Sequence, residues 1–124
     1  METYKLECNF HVTEGGNEPV REWLKKGVTA AVRKEIGDDI RYVQQHWPIG
    51  KPHVDGFGKG LFEVRTSYDK NIFRVLFHII NGEMILLHGL HKKTGKTPNH
   101  DVALARDRQR LDVERWKQQK GLKS

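Results

Sequence analysis

The chain has 124 residues, 36% hydrophobic and 31% charged, which suits one domain with a modest core, and no apolar run approaches the ~20 residues of a membrane span. Its single cysteine, Cys8, excludes an internal disulfide framework and a cysteine-rich zinc site, and fits a reducing cytoplasm. The net charge of +6 is uneven: residues 1–90 carry 12 Lys/Arg against 12 Asp/Glu, whereas residues 91–124 carry 10 against 4, so the last quarter either attracts a polyanion or forms a solvated basic helix.

The start, METYKLECNF, is acidic and mixed and does not read as a signal peptide. Tyr4 to Thr13 alternates with period two and predicts a first strand. Gly15-Gly16-Asn17 breaks it. Asn17 as N-cap and Pro19 in the first turn then predict a short helix that stops near Gly27. Val32, Ile36, Ile40, Val43 and Trp47 recur at helical spacing and predict a second helix from Thr29 to His46, ended by Pro48. Residues 49–60, with four glycines and Pro52, read as loop. Strands are expected over Leu61–Thr66, Ile72–Ile80 and Glu83–His91, with a two-residue turn at Asn81-Gly82 between the last two. Thr97 as N-cap and Pro98 at the first helical position start a last helix, with Asp101 in its first turn, that runs to Trp116. Residues 1–116 then form one domain and 117–124 a basic, frayed tail.

The turn at Asn81-Gly82 fixes a register. It pairs Ile79 with Met84, Phe77 with Leu86, Val75 with His88, Arg74 with Gly89 and Ile72 with His91. One face then holds Phe73, Val75, Phe77, Ile79, Met84, Leu86 and Leu90, with Phe62 and Val64 joining from the preceding strand, and receives the two N-terminal helices. The other face, expected without helices, holds Glu63, Arg65, Arg74 and His91, with Lys93 continuing the parity. Arginine in mid-sheet is costly to desolvate, so this grouping reads as a phosphate-binding surface. The alternative is a set of arginines satisfied by nearby carboxylates.

The runs WLKKG, IGDDIRYVQQHWPIGKP, GKGLFEVR, FRVLF and LLHGLHKKTGKTP, followed by a basic helix, span residues 18–115. Together they resemble the phage-derived branch of the RelE/HigB toxin superfamily. The resemblance implies an α+β, RelE-like fold: a small, mostly antiparallel four-stranded sheet with two N-terminal helices on one face and a C-terminal helix. It also implies cleavage of messenger RNA, often on the ribosome, and a partner antitoxin with a helix-turn-helix domain. By the resemblance, Arg65 matches the arginine ending the family's second strand, Arg74 the arginine that contacts the scissile phosphate, and Lys92 and Lys93 the basic pair after the last strand. Leu61 and Glu63 stand where the family carries strand lysines, and its C-terminal catalytic tyrosine has no counterpart here.

The implied reaction is attack of a ribose 2′-hydroxyl on the adjacent phosphate, which requires a base, an acid and cations facing the developing charge, with no metal or other cofactor. Arg74 is the expected cation, and Arg65 would position the phosphate or hold Glu63. His91 is the expected proton-transfer group because its ordinary pKa lies near neutrality. Glu63 is an alternative base if burial raises its pKa. Lys92, Lys93 and Lys96 would bind phosphate. Arg106 and Arg110 are either RNA-backbone contacts or part of a solvated helix face. His88 reads as a hydrogen-bonded core residue, and Trp23 and Trp47 as core. The seven histidines show no metal-ligand spacing.

Overall fold

The computed structural model describes residues 5–92 and 95–123. Strand β1 covers Glu7–Phe10, helix α1 Pro19–Glu22 continuing as a π-helical turn over Trp23–Gly27, and helix α2 Ala30–His46. Strands β2 (Val54–Gly56), β3 (Phe62–Tyr68), β4 (Asn71–Ile80) and β5 (Glu83–His91) follow, and helix α3 spans Asn99–Lys123. The sheet order is β1-β5-β4-β3-β2, with β1 parallel to β5 and the other neighbours antiparallel. The sheet therefore has five strands where four were expected. The extra one, β2, lies inside the stretch read as loop; at three residues it is too short to show an alternating pattern against four glycines and a proline.

Helix α2 forms as its sequence dictates. The Thr29 hydroxyl caps it by accepting from the Val32 N–H at 3.2 Å. Val32, Ile36, Ile40 and Val43 are buried. Trp47, preceding Pro48, is extended and stops the helix. Asn17 is not the cap of α1: Glu18 occupies that position without a side-chain bond. Asn17 instead closes a turn with Thr13, whose N–H donates to its carbonyl at 2.8 Å. Arg33 ties α2 to the π turn by donating to the carbonyls of Leu24 and Lys25.

The Asn81-Gly82 turn has positive φ at both residues, 50° and 78°, as the hairpin signal requires. The expected register holds from Ile80↔Glu83 to Phe77↔Leu86. A bulge then intervenes, and beyond it Leu76 faces His88, Val75 faces Gly89, Arg74 faces Leu90 and Phe73 faces His91. Leu87 is the extra residue. One inserted residue reverses the parity of everything after it. His91 therefore lies on the face of Phe73, not with Arg74, and His88 faces away from the N-terminal helices. Gly89, expected opposite Arg74, sits beneath the indole of Trp23.

Both faces of the sheet are covered. Helices α1 and α2 pack on Val64, Val75, Phe77, Met84 and Leu86, with Trp23 and Trp47 alongside. The opposite face, expected to be free of helices, is covered by α3, whose Ala105 packs with Leu61, Leu76, Leu87 and Leu90. This apolar patch is small, and polar contacts complete the docking. His88 Nε2 and the Asp101 carboxylate lie 2.6 Å apart. Asp112 receives His11 Nδ1 and His78 Nε2, both at 2.8 Å. Asp101 and Asp112 are eleven residues apart, about three helical turns, and so share one face of α3. Arg108 donates to the carbonyl of the bulge residue Leu87 at 2.7 Å. Helix α3 continues to Lys123 rather than ending at Trp116. Among the described residues, no helix is long and apolar enough to cross a membrane.

Two expectations follow. A Cβ at Gly89 would lie 2.3 Å from Trp23 Cε3, so Gly89→Ala should lower the unfolding free energy by about 2 kcal/mol, measured by urea denaturation. At Asp112, burial pushes the carboxyl up, but hydrogen bonds from His11 and His78 outweigh it and hold the carboxyl below the ordinary range. Asp112→Asn should therefore cost on the order of 2 kcal/mol at neutral pH. A depressed folded-state pKa stabilises above the unfolded value and is lost as pH falls through the folded one, so the deficit should persist down to about pH 4 and then close. Thermal unfolding of both proteins across pH 2–7 measures this.

Candidate functional site

Strand β3 places Glu63 and Arg65 on the α3 side of the sheet, and β4 places Arg74 directly opposite Arg65. Two facing arginines repel unless a carboxylate intervenes. Glu63 supplies it, accepting from Arg74 Nη1 at 2.8 Å, with both side chains 1–2% exposed. The segment leading into α3 closes over the pair. Gly95 O accepts from Arg74 Nη2 at 2.5 Å, and the Thr97 hydroxyl donates to Glu63 Oε1 at 2.5 Å. Thr97 thus spends its hydroxyl on the ion pair, not on the helix cap expected of it. Arg74 Nε remains buried without a partner.

These residues form the floor of a groove of about 770 Å³. Arg65, Lys51 and Lys96 stand along it, exposed, and no described side chain bonds to Arg65 or Lys96. Lys51 lies 3.9 Å from Asp55, a contact too exposed to hold it firmly. Four cationic side chains against the two carboxylates Asp55 and Glu63 leave the lining net positive. Chemically, this is a surface for an anion with several oxygens, such as a phosphodiester.

Of the residues singled out from sequence, Glu63, Arg65, Arg74 and Lys96 meet in this groove. His91 does not: its ring stacks on Phe73 with centroids 4.5 Å apart, and its Nε2 meets Asn71 Oδ1 at 2.9 Å on the other face. Lys92 is half-buried at the end of β5, where its N–H donates to Ile72 O. Lys93 lies outside the described residues. Arg106 and Arg110 line a different cleft along α3. There Arg106 donates to Phe57 O at 2.8 Å, and Arg110 pairs with Asp107. The sequence reading missed Lys51, Asp55 and Asn99 in the groove. The first two sit in the stretch read as loop, and their only signal was the charged spacing around HVDG. The His11–Asp112–His78 cluster was missed as well, although the eleven-residue spacing of Asp101 and Asp112 was available.

Burial pushes the Cys8 thiol up to about 11, so it stays protonated at neutral pH and is no nucleophile there. Among the described residues no group of three or more His, Cys, Asp or Glu side chains could hold a metal ion.

Residues 22–110 match the model of the phage-derived Gp49-like protein family (DUF891). No curated protein matches the chain.

Removing one partner from a buried ion pair strands the other charge, so Glu63→Ala should cost about 3–5 kcal/mol, whereas an apolar replacement of both partners restores packing. The double variant Glu63→Leu/Arg74→Met should recover most of that loss in urea denaturation.

Proposed function

Because the chain belongs to the phage-derived Gp49-like family, we propose that it is a RelE-like toxin of a type II toxin–antitoxin pair, and that it cleaves messenger RNA without a metal ion. The observation that carries this reading is the net-positive groove with Arg74 at its floor and Arg65, Lys51 and Lys96 along its rim. An RNA phosphate lying in it meets the exposed guanidinium of Arg65, above the buried charge of Arg74. Attack of the 2′-hydroxyl builds negative charge on the phosphate oxygens, and the cationic side chains of the groove favour that state. With His91 on the opposite face, proton transfer falls to groove side chains. Asp55, half-buried and next to Lys51, is the carboxylate best placed to accept the 2′-proton, and Lys96 is a cation free to approach the leaving oxygen. The proposed partners are messenger RNA, on the ribosome, and an antitoxin with a helix-turn-helix domain, which together place the protein in the cytoplasm.

Two observations favour a second reading, a noncatalytic protein that binds RNA or antitoxin. Arg74 is already neutralised by Glu63, and the expected histidine is turned away. Induced expression with messenger RNA 5′ ends mapped separates the two. The ribonuclease reading expects growth arrest, new 5′ ends and rescue by the antitoxin. Arg65→Ala, exposed and outside the core, should lower cleavage about 100-fold with unchanged thermal stability. Wild-type protein that leaves RNA intact with and without ribosomes establishes the noncatalytic reading.

A further inference from the structure

Three rings stack on the surface next to β2, the edge strand whose Asp55 lines the groove. Tyr42 of α2 lies 4.1 Å from the ring of His46 and 4.5 Å from that of His53, each inclined by 23°. Two rings that close and that nearly parallel cannot share one face of the phenol, so Tyr42 is the middle of a His46–Tyr42–His53 stack. The His46 ring is held in place by its Nδ1–H, which donates to the Tyr42 carbonyl at 2.9 Å.

The stack belongs to neither apolar core. Tyr42 is 38% exposed, His46 is exposed and His53 is half-buried. It adjoins the groove through the chain itself. His53 stands between Lys51 and Asp55, both of which line the groove, and two residues of chain span no more than about 7 Å. The His53 carbonyl also accepts from the Arg65 N–H at 3.3 Å, which ties the stack to the strand that carries the exposed arginine.

We propose that this ring stack is a nucleobase platform: an RNA strand whose phosphate lies on Arg65 sets a flanking base against the outer imidazole of His53. The proposal rests on reading the groove as an RNA-phosphate site. A cationic track with flat rings alongside is the combination that holds single-stranded nucleic acid, because every base offers a π-face while the backbone stays on the charges. Stacking of this kind discriminates weakly among bases, so the platform adds affinity and register.

The test uses the full chain and a fluorescent, uncleavable 2′-O-methyl RNA, with an abasic nucleotide moved along it one position at a time. The expected result is a loss of about tenfold in wild-type affinity at one position. His53→Leu, which keeps apolar bulk without a planar face, should bind the intact strand about tenfold more weakly and ignore the abasic substitution at that position. His53→Phe should restore both behaviours. Arg65→Ala should weaken intact and abasic strands alike. If RNA binding depends on Arg65 while His53→Leu equals wild type, or keeps its sensitivity to the abasic position, the platform is overturned and the groove reading stands. If wild type does not bind, or Arg65→Ala changes nothing, the groove reading fails and takes the platform with it. If His53→Leu weakens only the antitoxin complex, the stack is a protein-docking surface and the proposal is wrong.

Discussion

Docking of α3 on the second face of the sheet is the constraint from which the groove follows. The apolar patch beneath it is small, and apolar burial is not directional. Left to Leu61, Leu76, Leu87 and Leu90, the helix could slide or rotate at little cost. Asp101 opposite His88 and Asp112 between His11 and His78 remove that freedom, since a carboxylate and an imidazole must meet in line. Once the helix is fixed along its length, the segment before it has one place to go. Gly95 and Thr97 reach Arg74 and Glu63, and Lys96 stands at the groove.

Much of the fold was legible because it is written in apolar periodicity. The stripe from Val32 to Val43 marked α2, and the alternation of β3 and β4 placed Glu63, Arg65 and Arg74 on one side of the sheet. The match to the phage-derived Gp49-like family covers residues 22–110, the stretch that holds those same runs. What stayed hidden is what periodicity does not encode. The bulge at Leu87 has no composition signal, and it alone exchanged the sides of His88 and His91. Helix α3 docks largely through polar side chains, so its buried face looked like any solvated charged helix and the face it covers looked open. Strand β2 was too short to alternate.

A glutamate rather than a lysine at position 63 has a structural meaning. A lysine beside Arg74 would add to the repulsion from Arg65, and such a site needs solvent or a bound anion for balance. Glu63 balances it from within and, with Thr97 and Gly95, holds the guanidinium in one orientation. The floor of the groove is rigid and locally neutral, and its attraction for an anion comes from the rim.

Gly95 and Thr97 belong at once to the groove floor and to the lead-in of α3. Seating of the long helix and the shape of the groove are therefore a single equilibrium. A molecule that binds the assembled groove must tighten the helix against the sheet, and by thermodynamic reciprocity one that levers the helix away must dismantle the groove by the same factor. Such a molecule would disable the groove from a distance, without ever touching Arg74.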